Sequence, residues 1–190
     1  AIVRIISGLH GATDVGIFPV RGVPDAPGTL RLTPGSRLRV RLPTTKIPSV
    51  LPLADKALDL DGCSLRAGVP TVVALVPAPL LTSSLVTIKL AQAAGDGGFV
   101  APDAFLVAAR KQLQRRGVRG EVNLQAIRTG SRTGQPCRRV MRIKGHTHVG
   151  YAMVVEGLTA EESIELQENG LGGRRLMGCG LFLPAQVWST

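Results

Sequence analysis

Apolar residues open the chain at helical spacing. Ile2, Val3, Ile5, Ile6 and Leu9 fall on one side, with Arg4 and Ser7 opposite, which predicts the end of a helix closed by Gly8 and Gly11. The run 15–20 predicts a strand, and 21–35 is rich in turn residues. Residues 37–42 (Arg-Leu-Arg-Val-Arg-Leu) alternate strictly, so a half-buried strand is expected with its arginines on one face. Leu51, Leu53, Ala54, Ala57 and Leu58 predict a helix over 47–60, with Pro48 and Pro52 in its first turns. The apolar run 71–76 predicts a further strand. The first half therefore has the order helix, strand, strand, helix, strand.

Pro77 and Pro79 mark the expected boundary, giving domains 1–78 and 79–190. In the second half the pattern predicts a strand over 85–90, a small-residue loop over 91–98 and a helix over 102–116. Pro102 and Asp103 open that helix, Phe105, Leu106, Ala109 and Leu113 form its buried stripe, and Gly117 ends it. A strand over 121–128 and a loop tip over 131–136 follow. Residues 140–144 and 149–155 read as two strands or one bent strand joined at 145–148. Thr159-Ala160-Glu161-Glu162 is a capping-box pattern that opens a short acidic helix, and a last strand follows residue 180. Strand, helix, strand, strand, helix, strand is the ferredoxin-like order. The first half has the same order without its first strand, so the expectation is an α+β chain of tandem ferredoxin-like (RRM-like) domains. A complete first unit needs a strand before Ala1; either the sequence starts late or the lead strand is absent.

Charge changes this picture most. The 190 residues carry 23 Lys+Arg against 13 Asp+Glu, a net charge of +10, which favours an anionic partner. Between Pro102 and Val149 there are eleven Lys and Arg and two acids, Asp103 and Glu121. Solvated faces usually mix signs, so this window is read as a nucleic-acid surface. Arg110, Lys111, Gln114 and Arg115 lie opposite the apolar stripe. Arg116 and Arg119 extend the cluster, and Arg128, Arg132, Arg138, Arg139 and Arg142 continue it. Aromatic residues are only 3%, so recognition is expected through phosphates and shape rather than base stacking. Cys63, Cys137 and Cys179 form no CxxC pair, which argues against a disulfide framework or zinc knuckle and for a reducing cytoplasm. No uninterrupted apolar run of about 18 residues predicts a membrane span, and no signal peptide is visible.

The candidate chemistry lies at three places. Residues 170–180 place five glycines and two arginines in eleven positions: Gly170, Gly172, Gly173, Arg174, Arg175, Gly178 and Gly180, with Leu171, Leu176, Met177 and Cys179 between. Backbone without side chains and two guanidinium forks suit a phosphate chain. The competing reading is a glycine-rich turn with solvated arginines. His10 is placed at a helix carboxyl terminus, where the dipole favours its charged form. His146 and His148, two apart, share a strand face. That permits metal ligation, but no third ligand stands nearby. No paired carboxylates accompany the basic surface, so RNA cleavage, if any, is expected to need neither metal nor cofactor. The ribose 2′-hydroxyl would then attack the adjacent phosphate, with histidine carrying protons and arginine or lysine facing the developing charge.

The spacing G-x-G-x5-G-x-G with basic residues inside, the basic second-half helix, and Leu9-His10 followed by Val-Gly-Ile-Phe-Pro-Val-Arg-Gly at 15–22 resemble the CRISPR repeat-processing endoribonucleases of the RAMP superfamily. The resemblance covers nearly the whole chain. It implies an enzyme that cuts the repeat hairpin of precursor CRISPR RNA, leaving a 5′-hydroxyl and a cyclic phosphate. It implies further that the enzyme stays on the crRNA 3′ hairpin as a subunit of a surveillance complex of the Cascade type, beside the backbone subunit. His10 falls where several members keep a catalytic histidine. Lys144, His146, Thr147 and Tyr151 match a segment that borders the scissile phosphate in some relatives. The alternative is a non-cleaving RNA-binding scaffold of the same ribonucleoprotein. A third reading, a basic protein with unrelated phosphate ligands, predicts no preference for hairpin RNA.

Overall fold

The computed structural model describes residues 11–26, 29–60, 62–90, 101–143 and 145–185. The helix expected over 2–9, His10, the loop over 91–98 and Lys144 lie outside the described residues. The chain divides into two compact units, Ala1–Ala74 and Leu75–Thr190.

In the first unit, β1 (Gly16–Ile17), β2 (Val23–Pro24), β3 (Leu30–Arg31) and β4 (Val40–Arg41) form two short antiparallel pairs, β1 with β4 and β2 with β3. Val15 and Ile17 are buried. The arginines of 37–42 are partly used by the protein itself. Arg37 donates to the carbonyls of Pro34 and Ser36 at 2.6 and 3.0 Å, and the Arg41 guanidinium sits 4.9 Å from the centre of the Phe18 ring.

The helix expected over 47–60 is corrected. Only α1 (Ile47–Val50) is α-helical, with 3-10 turns on either side at Thr44–Lys46 and Leu51–Leu53. Pro52 has no N–H to bond the carbonyl four residues back, so the helix cannot pass it. Beyond it the chain forms the hairpin β5 (Ala57–Leu60) and β6 (Cys63–Arg66). The strand expected over 71–76 is also absent: Val72, Val73 and Val76 are exposed, and none of the described strands includes them. An apolar run has strand propensity, but a strand exists only where a neighbour completes its hydrogen bonds.

The second unit has the predicted order. β7 (Leu80–Val86), α2 (Pro102–Gln114), β8 (Glu121–Leu124), β9 (Arg138–Ile143), β10 (His146–Glu156), α3 (Ala160–Asn169) and β11 (Leu183–Pro184) follow in turn. The sheet runs β11-β7-β10-β8 with all these pairings antiparallel, and β9 forms a hairpin with the first half of β10. Phe105, Ala109 and Leu113 of α2 and Leu166 of α3 bury their stripe against Leu81, Val86, Val122, Met153 and Val155 of the sheet. Three boundaries differ from expectation. β7 starts at Leu80, five residues early, and residues 87–90 leave the sheet. β8 stops at Leu124. The turn between β9 and β10 falls at Gly145, with φ +80°, so both histidines belong to the strand and not to the joint.

Gly150 pairs with Arg139 of β9, one residue before β10 also pairs with Val86 of β7 at Tyr151. A Cβ there would stand 1.9 Å from the Val86 carbonyl oxygen, so the close strand approach requires glycine. The start of the unit is held by α3: Ser163 Oγ accepts from the Ala78 N–H at 2.9 Å, and Gln167 Nε2 donates to the Val76 carbonyl at 2.9 Å.

The capping box is present. Thr159 Oγ1 accepts from the Glu162 N–H, and Glu162 Oε2 accepts from the Thr159 N–H at 3.0 Å, while Oε1 accepts from the Arg119 N–H at 2.8 Å. Those backbone donors, Thr159 first and then Arg119, hold the Glu162 carboxyl below the usual carboxylate range. The stabilisation is present above the pKa of the unfolded carboxyl and is lost as pH falls through the folded value. Glu162→Ala is expected to lower stability by about 1 kcal/mol at neutral pH, with the gap to the parent closing in acid. Urea unfolding at two pH values measures it, and an equal gap at both would contradict the assignment.

Candidate nucleic-acid interface

The glycine-rich loop joins α3 to β11 and is tied to the sheet rather than free. Leu171, Cys179, Leu181 and Phe182 are buried. The loop closes at its neck, where the Leu171 N–H donates to the Gly180 carbonyl at 3.0 Å and the Gly180 N–H to the Leu85 carbonyl at 2.7 Å. A Cβ on Gly170 would stand 2.2 Å from the Gly180 oxygen, on Gly172 2.2 Å from the Thr87 oxygen, and on Gly180 1.9 Å from the Leu171 oxygen. These three glycines were expected to admit RNA to the backbone. In the structure their missing side chains let the loop pack closely on its own protein. Gly178, with φ +82°, caps the 3-10 turn Arg175–Met177. Gly173 alone of the five has open space where its Cβ would be and no positive φ.

The two loop arginines separate. Arg175 Nη1 donates to the Asn169 carbonyl, binding the loop to the end of α3. Arg174 is exposed and holds a left-handed conformation, φ +63°, which costs a non-glycine residue roughly 1–2 kcal/mol. Among the described residues no carboxylate pairs with it. Non-glycine residues held in such backbone regions are concentrated at functional sites.

The β9–β10 hairpin sorts its side chains by the strand period of two. In the antiparallel register His148 faces Met141 and Gly150 faces Arg139, so Arg139, His146 and His148 share one face. Arg138 and Arg142, opposite Tyr151 and Thr147, take the other. The arginines expected to form one track are therefore divided between two faces. His148 is half-buried, and its pKa is lowered first by burial, then by the Arg174 guanidinium and by His146. Arg174 of the loop is thus close enough to His148 of the hairpin to disfavour its imidazolium. Among the described residues no three His, Cys, Asp or Glu side chains converge on a metal-sized site.

Tyr151 is a correction. Its ring is 1% exposed and packs edge-on against Phe105, with centroids 5.1 Å apart, and burial raises its pKa despite the nearby Arg138. It belongs to the core under α2, not to a surface that borders a phosphate. Cys179 lies beneath the loop, where burial pushes its thiol up against the opposing effects of the Thr87 hydroxyl and Arg174.

On α2, Arg110, Lys111 and Gln114 are exposed, and Arg115 and Arg119 continue the exposed cluster beyond the helix. Arg116 is not part of it in the same way: its Nη1 donates to the Gly170 carbonyl at 3.2 Å and lies 4.0 Å from Glu165, so it braces the loop neck. Arg128 and Arg132 stand exposed on the connection between β8 and β9. Two residues that the sequence reading passed over also hold the loop. Gln112 Oε1 accepts from the Gly172 N–H at 3.1 Å, and the Thr87 carbonyl accepts from the Gly173 N–H at 3.1 Å. The signal for Gln112 was a polar residue on the edge of an apolar stripe, which most often is only solvated.

Comparison with known proteins agrees with the resemblance. The family model described as Cas6 Crispr matches residues 1–187. The CRISPR-associated endonuclease Cas6 of Myxococcus xanthus (strain DK1622) is 38% identical over 184 residues, 97% of this chain and 71% of that protein. A solved Cas6-related protein of Pyrococcus furiosus is similar in fold, with TM-score 0.55 and 11% identity, covering 98% of this chain and 83% of that one. Thermus thermophilus Cse3 bound to an RNA representing a pre-cleavage complex matches at TM-score 0.41 and 17% identity, over 90% of this chain and 76% of that one.

Proposed function

The chain belongs to the Cas6 family of CRISPR-associated endonucleases, with the tandem ferredoxin-like fold, and from that premise we propose that it cuts the repeat hairpin of precursor CRISPR RNA without metal. The ribose 2′-oxygen attacks the adjacent phosphorus, the bond to the 5′-oxygen breaks, and the products are a 2′,3′-cyclic phosphate and a 5′-hydroxyl. One proton leaves the 2′-hydroxyl and one reaches the departing oxygen. His10 carries one of these transfers, and Lys144 and His146 are the further candidates at the reacting atoms. The protein then stays on the 3′ hairpin as a subunit of a cytoplasmic Cascade-type complex beside its backbone subunit.

The observation that supports this reading is that the Arg174 guanidinium of the glycine loop acts electrostatically on His148, which shares a strand face with His146. An exposed cation that no carboxylate pairs with among the described residues, within electrostatic reach of a half-buried imidazole, suits a phosphodiester. The exposed cations of α2 extend positive charge along a stem, where phosphate contacts position an RNA helix. The test is incubation of a labelled repeat hairpin with the protein in EDTA. Cutting on the hairpin's 3′ side with a 5′-hydroxyl product is expected. Tight hairpin binding without cutting would instead favour the scaffold role, and equal affinity for duplex DNA would end the RNA reading.

A pH dependence follows from the site. Burial and Arg174 favour the neutral form of His148 in the free protein; a bound phosphate favours the imidazolium. Binding therefore takes up a proton, and affinity falls as pH rises through the range around the ordinary histidine value. An uncleavable hairpin with a 2′-deoxy scissile nucleotide is expected to bind several-fold tighter at pH 5.5 than at pH 7.5, by fluorescence anisotropy. His148→Gln should flatten the profile, and an unchanged slope in that variant would remove His148 from the phosphate.

A further inference from the structure

We propose that Gln112 is a positioning residue for RNA binding, because its side-chain carbonyl anchors the loop backbone two residues before Arg174 and so sets where that guanidinium points. The proposal rests on the reading of this surface as an RNA site. It uses a residue on the basic helix that carries no charge and faces the loop instead of solvent.

The geometry is over-determined at one corner. Gly172 has φ +74°, and the Thr87 carbonyl occupies the place of any Cβ at 2.2 Å, so the backbone at this point has one way to lie. Its N–H donates to Gln112 Oε1 at 3.1 Å. On the sheet side, the next residue is held twice by Thr87: the Gly173 N–H donates to its carbonyl at 3.1 Å, and its hydroxyl lies 3.4 Å from the Gly173 carbonyl. Thr87 is buried and cannot move with the loop. Arg174 follows directly, in the left-handed region, and its carbonyl accepts from the Met177 and Cys179 N–H groups at 2.9 and 3.2 Å. An unfavourable backbone conformation persists only where its surroundings impose it. Here the impositions are Thr87 from the sheet, the 3-10 turn from the following segment, and Gln112 from α2. Gln112 is the only one of the three that a side-chain substitution removes while leaving the core intact. Arg110 and Lys111 sit on the same helix that fixes the loop.

The experiment is a double-mutant cycle on the uncleavable hairpin, with Gln112→Met, Arg174→Ala and the two combined. Methionine keeps the length of glutamine and removes the acceptor. Arg174→Ala is expected to weaken binding about tenfold, and Gln112→Met about fivefold. The combined variant should bind like Arg174→Ala alone, because the brace acts through the arginine. Amide hydrogen exchange over 170–180 should quicken in Gln112→Met, while exchange in α2 is unchanged. Losses that simply add, or slow loop exchange retained in Gln112→Met, would overturn the proposal, as would faster exchange with undiminished affinity. Gln112→Ala provides the same comparison should the methionine variant fold poorly. If the parent protein itself shows no preference for hairpin RNA, the functional reading fails instead, and loop exchange alone judges the brace.

Discussion

Gly180→Ala is expected to destabilise the second unit by about 2–5 kcal/mol, while Gly173→Ala in the same loop changes stability by no more than about 0.5 kcal/mol. Both substitutions add one methyl group to a glycine of the same motif. They differ in what the methyl meets. At Gly180 the backbone has φ +66°, and the new Cβ would stand 1.9 Å from the Leu171 oxygen. That oxygen belongs to a backbone segment tied to Gly180 itself by the Leu171 N–H, so neither side can give without opening the neck of the loop. At Gly173 there is open space and an ordinary backbone. Gly178, left-handed at φ +82°, should lose at least the ~1–2 kcal/mol that this conformation costs a residue with a Cβ. Chemical unfolding of the three purified variants measures the order. Equal values for Gly180 and Gly173 would show that the loop is not packed as described, and that its glycines serve the ligand after all.

His10→Ala is expected to slow hairpin cleavage by about 10²–10⁴-fold and to leave hairpin affinity within about twofold. The argument is chemical. Transfer of the 2′-hydroxyl proton needs a group that titrates near neutrality, and histidine is the side chain that does so without perturbation. The loss should fall on the single-turnover cleavage rate at saturating protein, because a proton carrier acts in the transition state and contributes little to ground-state binding. Its pH–rate profile should lose one limb. Cleavage at the parental rate in His10→Ala would move the proton work to His146 or His148. Both lie on one face of β10, and the same assay on His146→Ala and His148→Gln identifies which.

Much of the second unit was legible because its signals are local. Pro102 and Asp103 at the start of α2, and the Thr159–Glu162 capping box, act through hydrogen bonds and fixed dihedral angles within one turn. The stripe Phe105, Ala109, Leu113 has to find apolar cover in any compact fold, and it is buried as expected. The glycine spacing was equally plain, and with it the family. The first half was read less well. The pattern over 47–60 predicts one helix and that over 71–76 a strand, and neither forms. The same apolar residues satisfy several elements, and only tertiary partners choose among them.

What the sequence by itself determined was the order of the second-unit elements, the excess of cations there, the loop motif, and through them the Cas6 family. Tertiary structure alone decided which side chains meet. It set Arg139, His146 and His148 on one strand face and Arg138 and Arg142 on the other. It sent Tyr151 into the core, turned Arg116 and Arg175 inward as braces, and brought Gln112 and Thr87 to the loop that holds Arg174. The physical reason is that side-chain direction in a strand depends on register, and register depends on pairing between residues distant along the chain. A shift of one position reverses every face, and no local pattern at residues 138–148 specifies that shift.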